Sequence, residues 1–378
     1  MQQHSKNFSA KMVLTAGFAM FSMFFGSGNL VFPLIIGSKT LGHYSYAIVG
    51  LIITAVFVPF LGLLGMIQFE GDRKAYFSSL GKIVSFSLIL LMLSLMGPFG
   101  IIPRCITVAF GGIQVVAPSL SYVAFSLFFC VLIGALIWKK NKIVSIIGLV
   151  LTPFKLGSII LLIVIGLWFN DLPIPLESST ENAFLMGFSY GYQTMDLMAA
   201  FFFACTICDY LRMRYQAEQN GFLINSQQLF KMAIAASLIG ALLLSVVYVG
   251  FVMLGAKYAP YLHGVPPESM LAEIAKHALG HYATPVIAMV LAVSCLATAT
   301  VVATLFADFL TDDISSNRLS RPQSIVLTLV TTFGMSLLGF QTICSWLGAI
   351  LSWIYPLLVV YAIMQIIRKL RMPRLVNC

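Results

Sequence analysis

The sequence predicts an all-α integral membrane protein of about ten transmembrane helices, built as two sets of five that enter the bilayer from opposite faces. Composition gives the first observation, because 60% of the 378 residues are hydrophobic and only 9% are charged. Soluble domains carry roughly 25% charged residues, so lipid must cover most of this surface. The other two observations are a series of long apolar runs and an uneven distribution of lysine and arginine.

Ten apolar runs have the length of a transmembrane helix, which needs about 20 mostly apolar residues. These runs cover residues 12–38, 43–67, 83–111, 119–138, 143–169, 183–207, 229–256, 283–310, 323–340 and 343–367. They leave an N-terminus over 1–11, a loop over 170–182 and a basic tail over 368–378.

Lysine and arginine indicate the orientation of the spans, because they collect in cytoplasmic loops. Of the 22 basic residues, 17 fall on the side of the N-terminus, 3 fall on the opposite side, and Arg104 and Lys155 lie within spans. Both termini are therefore predicted in the cytoplasm. The net charge of +9 reflects this asymmetry, so we expect membrane lipid, and no nucleic acid, as a partner.

The ten spans divide into two repeats, with spans one to five over 12–169 and spans six to ten over 183–367. Because five is odd, the second repeat starts on the opposite face of the bilayer. Inverted repeats are a common plan of secondary transporters, whose substrate site is formed by interrupted helices at matching positions of the repeats. The first and sixth spans occupy such positions.

The first span is interrupted near its middle by Phe25, Gly26, Ser27, Gly28 and Asn29, which are candidate substrate-binding residues. A glycine costs about 1 kcal/mol in a helix interior, so this segment favours local unwinding. Unwound backbone at membrane depth is tolerated where it lines a cavity, and the new helix N-terminus suits a carboxylate. The alternative is a seam of small residues that packs against another helix.

The sixth span carries a similar cluster that includes Asp196, near the middle of its apolar run. A charge at the bilayer centre costs at least about 2.5–3.5 kcal/mol, so such residues usually face an internal cavity. Asp196 could equally cap a half-helix, and the two roles are compatible. The candidate substrate-binding residues of this span are Tyr190, Gly191, Tyr192, Gln193, Thr194 and Asp196.

Together the two interruptions predict a site for a small zwitterion such as an amino acid. Gly26, Ser27 and Gly28 would bind its carboxylate, and residues 192–196 would surround its ammonium group and a coupling cation. Phosphate-binding loops, catalytic triads and nucleotide-binding domains are missing from the sequence, so we expect neither an enzyme nor an ATP-driven pump.

Candidates for cation coupling are Lys155, Ser294, Thr298 and Asp196. Ser294 and Thr298 share a helix face at i and i+4, although such hydroxyls also bond to carbonyls of their own helix. Lys155 and Arg104 each need a partner or a wet cavity, and Arg104 has the alternative of snorkelling to the outer interface. No metal-ligand cluster is visible, so a sodium ion is the only bound ion considered, and no other cofactor is expected.

Six segments resemble the bacterial branched-chain amino acid:cation symporters, the branched-chain amino acid transport system II carrier proteins. In chain order they are residues 17–33 (GFAMFSMFFGSGNLVFP), 97–104 (GPFGIIPR), 151–153 (LTP), 191–196 (GYQTMD), 295–296 (CL) and 354–357 (IYPL). The resemblance implies the five-plus-five, LeuT-like fold in the bacterial inner membrane, and sodium-driven import of leucine, isoleucine and valine. A carrier of another small zwitterion and a non-transporting amino-acid sensor are the alternatives.

Three features depart from this family. Its members usually continue for two further spans, they carry a threonine pair where this chain has Ala297 and Thr298, and they are apolar where this chain has Lys155. In the implied fold, the fifth span lies beside spans one and eight. We therefore expect the Lys155 ammonium to replace a bound sodium ion, so that transport is coupled to protons or to no ion.

Overall fold

The computed structural model describes residues 2–138, 143–168, 174, 182–218, 221–280, 284–315 and 318–371, and only the backbone at 2–9 and 143–151. The basic loop at 139–142, most of the 170–182 loop and the end of the tail at 372–378 lie outside the described residues.

Within these ranges the chain forms α-helices joined by short turns, and it contains no β-strand. The helices are α1 (Gln2–Phe24), α2 (Ser27–Thr40), α3 (Tyr44–Ile52), α4 (Val58–Gln68), α5 (Arg73–Phe77), α6 (Lys82–Met96), α7 (Ile101–Gln114), α8 (Tyr122–Ile137), α9 (Ile143–Trp168), α10 (Ala183–Gln193), α11 (Asp196–Glu218), α12 (Ser226–Lys257), α13 (Met270–Leu279), α14 (Thr284–Phe309), α15 (Arg321–Ser336) and α16 (Phe340–Arg371). The predicted all-α fold is confirmed.

Three predicted spans are each interrupted by residues that lie outside any helix, whereas a π-helical turn at Ile53–Phe57 joins α3 to α4 in the second span. The first consists of α1 and α2, and the sixth consists of α10 and α11, as their polar clusters indicate. The third, predicted over 83–111, is a candidate span over Lys82–Gln114, and residues 97–100 divide it into α6 and α7, an interruption that was not predicted from the sequence. Pro98 cannot donate a helical hydrogen bond, and a Cβ atom on Gly100 would lie 2.1 Å from the Leu95 carbonyl oxygen.

Helix contacts repeat between the two halves of the chain, with α12 corresponding to α3 and α4 together. α1 packs on α12 as α10 packs on α3, α2 packs on α12 as α11 packs on α4, and α1 contacts α9 as α10 contacts α16. The equivalent helices α7 and α14 pack on each other. An internal two-fold axis produces such pairing, and this is the predicted five-plus-five, LeuT-like arrangement.

The protein is a multi-pass membrane protein. By length and composition, the helical segments able to cross a bilayer are Ser27–Gln68, Lys82–Gln114, Ser226–Lys257, Thr284–Ile314 and Phe340–Arg371. The pair α10 and α11, bent by 42°, is a further candidate, and shorter apolar helices cover Ala10–Phe24, Tyr122–Ile137 and Thr152–Trp168. Large apolar side chains such as Leu127 and Trp353 are exposed on the outer surface, where lipid can cover them.

Candidate substrate site

The interruptions of the first and sixth spans lie side by side. A Cβ atom on Gly28 would lie 3.1 Å from Thr194 Cα, and one on Gly26 would lie 2.8 Å from Thr298 Cγ2. Glycine therefore allows the first interruption to approach both the second interruption and α14 this closely. Met195 turns the chain between α10 and α11 with a φ of +64°, a conformation that is uncommon outside glycine and marks a constrained site.

Asp196 is the first residue of α11 and is buried. Its Oδ2 atom accepts hydrogen bonds from Asn29 Nδ2 at 2.8 Å and from the Tyr248 hydroxyl at 2.8 Å, and Asn29 also hydrogen-bonds to Tyr248. The N-terminus of α11 adds a partial positive charge beside the carboxylate. Asp196 therefore begins a half-helix and also connects three of the helices that surround the interruptions.

A small cavity lies between the interruptions, with a volume of about 10 Å³, roughly the space that one ordered water requires. One part of its wall is formed by polar and charged side chains, and another part is formed by apolar side chains. The polar members are Ser27, Asn29, Arg104, Thr194, Asp196 and Thr298, and the apolar members include Phe24, Ile101 and Phe203. In this conformation the site is closed, so a ligand the size of an amino acid requires its walls to move apart.

A much larger cavity, of about 560 Å³, lies at the end of the molecule that is predicted to face outside, with Lys39, Tyr190 and His263 among its polar lining. Phe32 also lines it, with its ring centroid 5.8 Å from that of Tyr190 and 6.1 Å from that of Phe340. A Cβ atom on Gly28 would lie 3.2 Å from the Phe32 ring. Phe32 therefore separates this outer cavity from the small cavity.

The opposite, predicted cytoplasmic end is held by ion pairs between different elements. They join Glu70 to Arg212 at 2.7 Å, Asp313 to Arg73 at 3.2 Å and Asp308 to Arg321 at 2.9 Å. Hydrogen bonds from Ser226 and Arg212 hold the pKa of Glu70 below its usual value. Over the described part of the outer end, the ion pairs of Glu273 stay within α13. Ion pairs thus join different elements at the closed, predicted cytoplasmic end, whereas the ion pairs of Glu273 at the open, outer end do not.

Arg104 is fully buried in α7 and extends towards the interruption of the sixth span. Its Nη1 atom donates to the Gln193 carbonyl oxygen at 2.8 Å, and its Nη2 atom lies 3.0 Å from Met195 Sδ. The guanidinium carbon lies 5.6 Å from the centroid of the Phe32 ring. Burial excludes the alternative that Arg104 snorkels to the outer interface.

Lys155, in α9, is buried beside the end of α1. Its Nζ atom lies 3.1 Å from Ser22 Oγ and 3.4 Å from the Ser22 carbonyl oxygen. The same ammonium group lies 5.6 Å from the ring centroid of Phe21 and 5.4 Å from that of Phe25. Carbonyl oxygens at a helix C-terminus attract positive charge, and ring faces do the same, so this position suits a cation.

Thr298 and Ser294 extend this polar region along α14. The Thr298 hydroxyl lies 3.5 Å from the Met23 carbonyl oxygen and 3.4 Å from the Phe25 carbonyl oxygen. Ser294 lies one turn earlier, and its buried hydroxyl has no hydrogen-bond partner. In the part of the chain that the structure describes, no group of three or more His, Cys, Asp or Glu side chains could hold a metal ion.

The structure separates the candidate residues into groups. The residues around the small cavity are Gly26, Ser27, Gly28, Asn29, Thr194, Asp196 and Thr298. Tyr190 and Gln193 line the outer cavity. Phe25 stacks on Phe21, Gly191 packs against Thr54, and Tyr192 contacts Tyr355, while Lys155 and Ser294 lie on the helices that flank α1.

Several residues of the site are absent from the sequence prediction, among them Ile101 and Phe203 in the wall of the small cavity, Tyr248 and Phe32. Tyr248 lies in the uninterrupted helix α12, and its one signal is a phenol within an apolar run, which needs a hydrogen-bond partner when buried. Phe32 has no signal of its own, because its position between the two cavities results only from packing of α2 against α10 and α16.

Interrupted helices that meet at a buried carboxylate, within an inverted repeat, define a membrane transport protein of the LeuT-like fold. The structure is similar to that of Mhp1, a nucleobase-cation-symport-1 family transporter, in a closed conformation with bromovinylhydantoin bound. The TM-score is 0.65 at 11% sequence identity, over 93% of this chain and 77% of Mhp1. This likeness concerns the fold alone.

The chain belongs to the family of branched-chain amino acid transport proteins, whose family model matches residues 9–376. Branched-chain amino acid permease BrnQ of Bacillus subtilis (strain 168) is 29% identical over 346 residues, 88% of this chain and 77% of the relative. Branched-chain amino acid permease BraB of the same organism is 28% identical over 372 residues, 95% of this chain and 81% of the relative. The chain is therefore a transport protein and not an enzyme.

Proposed function

We propose that this protein is a secondary transporter that imports leucine, isoleucine and valine across a bacterial cytoplasmic membrane, with both termini in the cytoplasm. The observation that carries the proposal is the meeting of the two interruptions, which places hydroxyls, helix ends and the Asp196 carboxylate around one cavity. The names of the relatives support the substrate class. The distribution of basic residues supports the orientation.

An amino acid offers groups that match each part of this cavity. Its carboxylate matches Gly26, Ser27 and Gly28, where the first N–H groups of α2 have no partner within the helix. Its ammonium group matches Asp196 and the Thr194 hydroxyl. Its branched apolar side chain matches the wall formed by Phe24, Ile101 and Phe203, because burial of each CH₂ group contributes about 0.8 kcal/mol.

Substrate reaches this site from the outer cavity when Phe32 and its aromatic neighbours move aside. The outer cavity is large enough for an amino acid, whereas the small cavity is not. The ion pairs at the predicted cytoplasmic end keep the opposite route closed in this conformation. Import then requires an alternation in which the cytoplasmic end opens after Phe32 has closed over the bound substrate.

Coupling to an ion is the finer part of the proposal. The Lys155 ammonium lies 3.4 Å from the Ser22 carbonyl oxygen at the carbonyl end of α1. Just after Ser22 in the chain, the Met23 and Phe25 carbonyl oxygens contact the Thr298 hydroxyl, and oxygen atoms of this kind would suit a sodium ion. Lys155 therefore takes the place of bound sodium, and transport is coupled to protons or to no ion. Sodium coupling through Ser294, Thr298 and Asp196 is the alternative.

The substrate is tested by counterflow in proteoliposomes that are preloaded with unlabelled leucine, because exchange needs no ion gradient. The wild type is expected to accumulate labelled leucine, and external isoleucine and valine should compete while lysine and glutamate should not. Asp196→Ala should lose exchange, and Asp209→Ala, a carboxylate near the predicted cytoplasmic end, should keep it. Exchange of a different zwitterion would replace the substrate, and binding of leucine without exchange would indicate a sensor.

Coupling is tested by imposing a pH gradient, acidic outside, on sodium-free proteoliposomes. If protons are coupled through Lys155, labelled leucine should accumulate in the wild type above the level reached without the gradient. Lys155→Met should equilibrate leucine without accumulation. Accumulation that is identical in the wild type and in Lys155→Met would remove Lys155 from the coupling mechanism.

A further inference from the structure

We propose that Arg104 binds the carboxylate of the amino-acid substrate and serves, with Asp196, as one of the two charges that recognise a zwitterion. This inference rests on the proposed function and adds a residue that the interruptions themselves do not contain. Arg104 comes from α7, and it lines the small cavity together with Ser27, Thr194 and Asp196.

The charge of Arg104 has no ion-pair partner among the described residues. Arg104 is fully buried, and among the described residues no carboxylate lies within 4 Å of its guanidinium group. Its partners are neutral, namely the Gln193 carbonyl oxygen and the Met195 sulfur, and its Nε atom has no hydrogen-bond partner. Asp196 lines the same cavity but forms no ion pair with Arg104. A buried cation without a directly paired anion is costly, and within a membrane such a charge usually marks a substrate path.

Other hydrogen-bond donors line the small cavity together with Arg104. The Ser27 hydroxyl is buried and has no hydrogen-bond partner, and it lines the same cavity. Ser27 also begins α2, whose N-terminus favours an anion. A guanidinium fork, a hydroxyl and a helix N-terminus are together the groups that bind a carboxylate, and guanidinium can bind it with two parallel hydrogen bonds.

A purely structural role would make Arg104 a brace for the carbonyl end of α10. Its bond from Nη1 to the Gln193 carbonyl oxygen fits that role, because basic side chains stabilise helix C-termini. A brace, however, uses one donor atom, and it gives no reason for the guanidinium group to line the cavity without an ion pair to Asp196. The two roles make different predictions for ligands that lack a carboxylate.

The inference predicts that a carboxylate is required in the substrate. Leucinamide keeps the ammonium group and the branched side chain of leucine, but it replaces the carboxylate with a neutral amide. In the wild type, leucinamide should therefore need at least about tenfold more concentration than leucine to inhibit the counterflow of labelled leucine, since hydrogen bonds to charged groups contribute about 1.5–3 kcal/mol.

The experiment measures the leucinamide concentration that inhibits counterflow, divided by the leucine concentration that inhibits it equally. This ratio is compared among the wild type, Arg104→Lys, Arg104→Met and the control Lys257→Met. Lys257 is a buried basic residue that donates to the Leu167 carbonyl oxygen at 2.6 Å, far along the chain from the cavity. Arg104→Lys keeps the charge but loses the fork, so its ratio should fall several-fold. Arg104→Met should bring the ratio to about one, and Lys257→Met should keep the wild-type ratio.

Outcomes separate this inference from the proposed function. An absence of leucine exchange in the wild type would overturn the proposed function and this inference with it. Leucine exchange with an unchanged ratio in Arg104→Lys would overturn the role of Arg104 alone, even if Arg104→Met fails to fold. The assignment is supported if the ratio of the inhibitory concentrations of leucinamide and leucine falls in both Arg104 variants while the inhibitory concentration of leucinamide itself stays unchanged.

Discussion

Arg104 and Lys155 are two buried basic residues of the first repeat, and each contacts the interrupted helix of a different repeat. Lys155 donates to the carbonyl end of α1, and Arg104 donates to the carbonyl end of α10, the matching half-helix of the second repeat. In both cases the partial negative charge of a helix C-terminus stabilises a cation. One fixed positive charge from the first repeat therefore lies at each of the two interrupted helices.

The two positions differ in what else the cation can reach. The Lys155 ammonium is enclosed by Ser22 and by the rings of Phe21 and Phe25. The Arg104 guanidinium lines the small cavity and lies beneath Phe32, which faces the outer cavity. In our proposal, the cation beside α1 thus fills an ion position, and the cation beside α10 presents a charge to the substrate.

The largest effect is expected when the acidic partner of this arrangement is removed. Asp196→Asn keeps a side chain of similar size but removes the charge that matches an ammonium group, and it changes the hydrogen bonds of Asn29 and Tyr248. Leucine exchange should fall at least about 100-fold, since the lost charge-assisted bonds contribute about 1.5–3 kcal/mol each. The measurement is the initial rate of counterflow at several leucine concentrations, and an unchanged rate would contradict the proposed site.

The next effect separates the two cations directly. Lys155→Met should lower the rate of leucine exchange about tenfold, because the carbonyl end of α1 loses its charge, while the leucine concentration at half-maximal rate changes less than about threefold. Arg104→Met should instead raise that concentration at least about tenfold. Rate-against-concentration curves for both variants give the test, and the same pattern in both would contradict the division of roles.

A smaller effect is expected for the Thr298 hydroxyl, which contacts carbonyl oxygens at the interruption of the first span. Thr298→Val removes the weak hydrogen bonds to the Met23 and Phe25 carbonyl oxygens and keeps the branched shape against Gly26. The free energy of unfolding should fall by about 1 kcal/mol, and sodium should not alter that difference. Thermal unfolding of the purified protein with sodium and with choline checks this, since a sodium-dependent difference would indicate a bound sodium ion at Thr298.

The smallest effect is expected at the predicted cytoplasmic end, away from both cations. Glu70→Gln weakens contacts with Arg212 and Ser226, which should cost about 0.5–1 kcal/mol because the pair is largely exposed. The lowered pKa of Glu70 means that its contribution is present above its usual pKa and is lost as the pH falls through the folded-state value. Melting temperatures of the wild type and the variant should differ at pH 7 and converge only as the pH falls through the lowered pKa of Glu70.

Composition and the basic-residue pattern were sufficient to predict the helical, multi-pass fold, because a bilayer permits few alternatives. The clusters around Gly26 and Asp196 also predicted two of the three helix interruptions, since glycine and buried charge disfavour a regular apolar helix. The interruption at residues 97–100 was not predicted, because its cause is partly the close packing of Gly100 against Leu95, which no local pattern records.

Within the site, the sequence identified candidate residues by their chemical type, but it did not indicate which cavity each side chain faces. Tyr190 and Gln193 lie in α10, which ends just before Thr194. They nevertheless line the outer cavity, because they lie on a face of α10 that is turned away from the interruption. Tyr248 and Phe32 joined the site through tertiary packing alone. Arg104 carried an ambiguous signal, because a basic residue about three-quarters of the way along a predicted span fits both an interface and an internal cavity until its burial is known.

The most direct test of this account is the uptake of labelled leucine into wild-type proteoliposomes, first with sodium and then with sodium fully replaced by choline at constant pH. We predict saturable leucine uptake that keeps its rate in choline, as expected for a branched-chain amino acid carrier with the Lys155 ammonium in the place of sodium. Uptake that collapses in choline would contradict that role of Lys155, and absence of uptake in both solutions would contradict the carrier itself.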